Sequence, residues 1–107
     1  MKDTTTAPRD AEGFLCHLED WSEQAAAILA QEEGITLTAA HWEVINSLRE
    51  FYAAFGLSPA MRPLNKYLKE KLGPEKSGSI YLLQLFPGSP AKLAAKIAGL
   101  PKPDNCL

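Results

Sequence analysis

Helix stops punctuate this chain, and they limit it to short helices. Gly34, Gly56, the Gly73-Pro74 and Pro87-Gly88 pairs and Gly99 each follow an apolar stretch. Glycine closes a helix in the left-handed conformation, and proline cannot continue one. Between the stops the apolar spacing is helical. Asp20 reads as an N-cap, with Glu23 completing a capping box and Trp21, Ala25, Ile28 and Leu29 on one face. Thr38 caps a second helix whose apolar set, Trp42, Ile45, Leu48, Tyr52 and Phe55, recurs every three or four residues. Ser58 and Pro59 open a third, lined by Met61, Leu64, Leu68 and Leu72. Pro63 removes a further N–H there, so this helix is distorted or begins late. The stretch Ile80 to Phe86 is too apolar for a surface and reads as a short helix. Ser89-Pro90 starts the last helix, lined by Leu93, Ile97 and Leu100.

Helices this short are marginal alone and must share a core. The expected fold is mainly α: a small orthogonal helical bundle whose second and third helices make a helix-turn-helix-like pair. A short β element near the N-terminus, over Gly13 to Cys16, is the most strand the pattern allows, and an extended, mobile arm ends the chain. With 107 residues there is room for one domain. The divisions are a flexible N-terminal arm over 1–12, a helical domain over 13–100 and the C-terminal arm over 101–107. Pro101 and Pro103 stiffen that last segment and forbid helix.

No apolar run approaches the roughly 20 residues that span a bilayer. The polar N-terminus lacks the apolar region of a secretory signal, and a cytoplasmic monomer that needs no membrane is expected. Two cysteines, Cys16 and Cys106, cannot build a disulfide scaffold and suit a reducing compartment. No cofactor or metal is expected. The Cys16-His17 adjacency is not a metal-ligand spacing. The Gly73 to Gly78 segment lacks the Gly-Lys-Ser/Thr ending of a phosphate loop.

The net charge of −2 conceals an asymmetry. Residues 1–53 carry ten acidic side chains against three basic ones, and residues 54–107 carry eight basic against three acidic. Such a bipolar domain can steer an anionic partner toward one half; its charges can equally be only a solvated surface.

Cys106 carries the most chemical information. It is penultimate, on a stiff peptide, where a thiol can enter another protein's active site. That geometry suits a carrier of a sulfur or acyl group, against the plainer reading of an inert thiol. Asp104 and the carboxylate of Leu107 should raise its pKa, with only Lys102 opposing them. Cys16 reads as a small, partly buried hydrophobe, and His41 as a surface or capping residue. Arg62, Lys66 and Lys69 share one face of the third helix, as a recognition helix would require, or as any solvated face would show. Lys92 and Lys96 flank the core face of the last helix and are suited to an anion or to water.

The C-terminal run Pro90-Ala91-Lys92, Lys96-Ile97-Ala98-Gly99-Leu100-Pro101-Lys102-Pro103 and Cys106 before one last apolar residue resembles the DsrC/TusE family. So do Asp20-Trp21, Glu33-Gly34-Ile35, His41-Trp42-Glu43-Val44-Ile45, Phe51-Tyr52, Ser58-Pro59-Ala60-Met61-Arg62 and Leu85-Phe86-Pro87. The resemblance spans about residues 10–107. It implies a small helical fold with a minor β element and a mobile arm, and it implies that Cys106 carries a persulfide. In the TusE branch, sulfur arrives from a TusBCD-like donor complex and moves toward an MnmA-like thiolase of the tRNA wobble uridine. In the DsrC branch, the partner is dissimilatory sulfite reductase, and a second arm cysteine can pair with the terminal one. Here that second position is Ala95, which favours the TusE-like role.

The reading is a persulfide carrier that accepts sulfur on Cys106 and passes it to an acceptor enzyme for tRNA 2-thiolation. Gly99, Pro101 and Pro103 set the geometry of the arm, and Arg62, Lys66, Lys92, Lys96 and Lys102 dock partners, tRNA or the persulfide anion. The alternatives are a DsrC-like partner of dissimilatory sulfur metabolism, a helix-turn-helix nucleic-acid-binding regulator and a pure scaffold of a sulfur-transfer complex.

Overall fold

The computed structural model describes residues 7–104. Five α-helices carry the fold among them: α1 (Glu23–Glu32), α2 (Ala39–Phe55), α3 (Met61–Leu72), α4 (Ser79–Leu85) and α5 (Pro90–Ile97). Single 3-10 turns, Leu18–Asp20 and Pro74–Lys76, precede α1 and follow α3. The expected β element is reduced to one antiparallel bridge between Arg9 and Leu15. Residues 7–12, read from sequence as part of a flexible arm, form a turn here. Asp10 Oδ1 accepts from the backbone N–H groups of Glu12 and Phe14, and Ala7 is buried.

α5 is the hub of the core. It is only eight residues long, yet it packs against each of the other four helices. Its composition permits this. Ala91, Ala94, Ala95 and Ala98 are all buried, and small side chains let neighbouring helices approach closely. Ile97, Leu29, Ile45, Leu48, Leu64, Leu68, Leu82 and Phe86 fill the space around it. A helix so short owes its stability to that burial.

The helix boundaries separate local signals that held from those that did not. Thr38 caps α2, its hydroxyl accepting from the His41 N–H while His41 Nδ1 accepts from the Thr38 N–H. His41 is buried, not superficial, because its Nε2 donates to the Leu85 carbonyl at 2.7 Å and so ties α2 to α4. Gly56 closes α2 in the left-handed conformation. Asp20 does not cap α1; Ser22 does, accepting from the Ala25 N–H. α3 begins at Met61 behind Ala60, later than Ser58-Pro59 suggests. Pro63 therefore falls in the first turn, where no intrahelical N–H bond is lost.

Two apolar expectations fail. Phe55, assigned to the core face of α2, is 60% exposed. The last turn of the 17-residue α2 lies outside the core: Ala53, Ala54 and Phe55 are all exposed, and the Phe55 ring rests on Phe51. Within α4, Leu82 is buried, whereas Ile80 and Leu83 lie 76% and 43% exposed on the outer side. This orientation of α4 is testable by chemical denaturation. Leu82→Ala is expected to cost about 2–5 kcal/mol and Ile80→Ser less than about 0.5 kcal/mol; equal losses would refute the orientation.

Candidate functional site

The site grows out of the end of α5, where the chain turns from the core into the C-terminal segment. A helix end leaves its last carbonyls without intrahelical partners. Here each has one. The Leu100 N–H donates to the Ala95 carbonyl and the Gly99 N–H to the Lys96 carbonyl, a Schellman closure with Gly99 left-handed at φ 75°. Side chains from distant segments take the next two. The Trp21 indole N–H donates to the Ile97 carbonyl at 2.8 Å, and Arg49 Nη1 to the Ala98 carbonyl at 2.7 Å. The Arg49 guanidinium also lies over the Trp21 ring, 3.9 Å from its centroid. Burial lowers the guanidinium pKa from its ordinary value, but an arginine remains charged at neutral pH.

Gly99 is fixed by this packing as well as by its backbone. A Cβ there would lie 2.4 Å from Trp21 Cδ1, in addition to the cost of a left-handed L-residue. Further along, the Ser58 hydroxyl donates to the Pro101 carbonyl at 2.6 Å. That is why Ser58 is not a helix cap: its side chain faces the C-terminal segment. Pro103 is buried, although an extended, mobile arm was expected from residue 101 on; Pro101 and Lys102 are exposed.

Lys102 donates to Glu12 at 3.0 Å, and the same carboxylate pairs with Lys92 on α5. The Glu12 pKa is lowered, chiefly by the hydrogen bond from Lys92 and next by that from Lys102. Lys96 pairs with Glu33 at 2.6 Å. Lys92 and Lys96 line a hollow of about 320 Å³ together with Glu12 and Glu33, and Lys102 is tied to it through Glu12. Their positive charge is largely matched within the protein. Arg62 and Lys66 lie elsewhere, on the exposed face of α3 with Lys69, and none of these three has an ion-pair partner among the described residues.

Cys106 lies outside the described residues. The one cysteine among them, Cys16, is exposed and not partly buried as its apolar neighbour Leu15 suggested. Sequence reasoning passed over Trp21, Arg49, Ser58 and Glu12 as functional residues. One cue existed: Arg49 is the only lysine or arginine between Arg9 and Arg62, a lone cation in an acidic stretch.

A family model described as DsrC like protein matches residues 2–107, and so extends through the Cys106 position. This chain belongs to the DsrC-like family. It is 53% identical over 103 residues to the sulfurtransferase TusE of Sodalis glossinidius, spanning 96% of this chain and 95% of that relative. It is 55% identical over 98 residues to the TusE of Yersinia pestis, spanning 92% and 90%. The NMR structure of Allochromatium vinosum DsrC superposes with a TM-score of 0.84 at 46% identity, over 92% of this chain and 88% of that one. The helical fold read from the sequence and the family resemblance both stand. Within this DsrC-like chain, Ala95 is fully buried in α5, at the position where the DsrC resemblance implied a second cysteine.

Two predictions follow from the geometry. Gly99→Ala is expected to destabilise the protein by on the order of 3 kcal/mol, from left-handed strain plus the collision with Trp21, measured by denaturant titration. The Glu12 carboxyl, followed by NMR, is expected to titrate below an ordinary glutamate. Its ion pairs are therefore kept above the lowered pKa and lost as pH falls through it. Lys92→Ala should raise that midpoint more than Lys102→Ala; the reverse order would contradict the assignment.

Proposed function

We propose that this protein is a sulfur-relay carrier whose working group is Cys106. The observation that carries the proposal is the identity of 53–55% to proteins named sulfurtransferase TusE, over more than nine-tenths of the chain. The Cys106 thiolate attacks the outer sulfur of a donor's cysteine persulfide. A new sulfur–sulfur bond forms on Cys106, the donor's own sulfur–sulfur bond breaks, and the donor cysteine leaves as a thiolate. The exchange repeats on an acceptor, with no net oxidation and no cofactor. A TusBCD-like complex is the proposed donor, and an MnmA-like thiolase acting on the tRNA wobble uridine the proposed acceptor.

The described residues fit the role of the body that presents this thiol. The chain leaves the core helix with its last carbonyls held, and Pro101 and Pro103 keep it extended beyond that point. Gly99 sets the turn. Lys92 and Lys102 brace the segment through Glu12, and Lys96 ties α5 to the end of α1 through Glu33, which leaves Arg62 and Lys66 as the residues proposed to meet an anionic partner. Among the described residues no helix is long and apolar enough to cross a membrane, and the proposed site of action is the cytoplasm. The stripe of Arg62, Lys66 and Lys69 also supports a second reading, nucleic-acid binding, whose affinity would fall steeply with salt.

The deciding experiment is intact-protein mass spectrometry after incubation with a cysteine desulfurase, cysteine and relay proteins. Wild type and Cys16→Ser are expected to gain one sulfur, and Cys106→Ser none. Retained loading in Cys106→Ser would refute the carrier assignment.

A further inference from the structure

The described surface exposes five large hydrophobic side chains: Leu18, Phe55, Leu57, Ile80 and Leu83. Two of them stand where the C-terminal segment meets the body. Phe55 and Leu57, 60% and 54% exposed, flank Gly56 at the corner between α2 and α3. A cleft of about 150 Å³ opens beside Leu57, lined by Tyr52, Gly56, Leu57 and Ser58 from the corner and by Pro101, Lys102 and Asp104 from the C-terminal segment. Ile80 and Leu83 line no part of it.

We propose that Phe55 and Leu57 form the collar on which a sulfur-relay partner protein seats itself around the root of the C-terminal segment. This inference rests on the carrier reading above and names the surface through which it operates.

Chain length makes the argument. Cys106 is two residues beyond Asp104, and two residues span no more than about 7 Å. A partner cysteine must approach within bonding distance of that sulfur. An ordinary interface covers about 800 Å² per partner, equivalent to a disc of roughly 16 Å radius. Leu57 shares a cleft with Asp104 and so falls inside that footprint, with Phe55 two residues away.

Side-chain chemistry selects the class of partner. Interface cores between proteins favour aromatic and apolar anchors and are depleted in lysine. Phe55 is already ordered for such a role. Its ring lies 4.6 Å from that of Phe51, which meets Tyr67 edge-on at 5.2 Å. An anchor held in place before binding loses little conformational entropy on docking. The partner that fits is a protein whose reactive cysteine lies at the mouth of a cleft with an apolar rim.

The test compares Phe55→Ser/Leu57→Ser with Ile80→Ser/Leu83→Ser, and with Leu57→Ser alone in case the first double variant folds poorly. Each is loaded with glutathione persulfide, and separately by a cysteine desulfurase with its relay protein under steady-state conditions. The collar variants should load normally from the small persulfide. They should show at least a 10-fold higher KM for the protein donor at a near-wild-type maximal rate. The Ile80/Leu83 variant should match wild type in both.

An unchanged KM in the collar variants, or an equal rise in both pairs, would overturn the collar. So would conversion of a wild-type dimer to a monomer by Leu57→Ser in sedimentation, because the occupant would then be a second copy of this chain. If wild type itself takes sulfur from neither donor, the carrier reading fails first. If wild type loads and only the collar variants disappoint, the carrier reading stands without this surface.

Discussion

Everything that leads toward Cys106 depends on how the backbone leaves α5. A buried carbonyl without a donor costs about 1–3 kcal/mol. The end of this helix would expose several such groups inside the protein, because Ile97, Ala98 and Leu100 are all buried. The Schellman closure takes the carbonyls of Ala95 and Lys96, and Trp21 and Arg49 take those of Ile97 and Ala98. The parts interlock. Trp21 needs a residue without a Cβ at 99, Arg49 lies on the Trp21 face, and both approach a turn that only a left-handed residue makes easily. The direction in which the C-terminal segment departs is thus set by residues 43 to 76 positions away in sequence.

Folding also resolves the charge asymmetry of the chain. Glu12, Glu33, Glu43 and Glu50 of the acidic half pair with Lys92, Lys102, Lys96, Lys76 and Lys71 of the basic half. Each such exposed pair contributes little to stability, typically less than about 1 kcal/mol. Their consequence is for recognition. Charge matched internally is weak bait for a partner, and α3 keeps on one face Arg62, Lys66 and Lys69, which have no ion-pair partner among the described residues. Among the described residues, the field that the sequence distributes over half the chain is narrowed by the fold to one stripe.

Local chemistry was legible and long-range chemistry was not. Thr38, Gly56, Gly73-Pro74, Pro90 and Gly99 mark helix limits because capping and proline effects act within a few residues. Ser58 carried the same local signal and misled. Its hydroxyl is drawn away by the Pro101 carbonyl, a partner no window around residue 58 contains. Phe55 fits the period of α2 perfectly well, but a period cannot report that the last turn of the helix lies outside the core. Trp21 looked like an ordinary core residue, and Arg49 like an ordinary surface charge. Cys106 was singled out by its place in a motif, which is chemical information of a different kind from spacing, and it lies outside the described residues.

A rigid root and a short reach together determine what kind of carrier this can be. A thiol on a long flexible tether searches a large volume, and its effective concentration at any one partner is correspondingly low. Here Cys106 is three residues beyond the buried Pro103, so chain length alone limits the distance between them to about 11 Å. For the proposed carrier, encounter then cannot be separated from docking: a partner that reaches the Cys106 thiol also meets the surface around Tyr52, Leu57 and Ser58. On that proposal, selectivity among donors and acceptors belongs to that surface. The reactivity of the sulfur has only to suit the exchange. A segment so short could not serve a partner that approached from the far side of α1, whatever the chemistry of its cysteine.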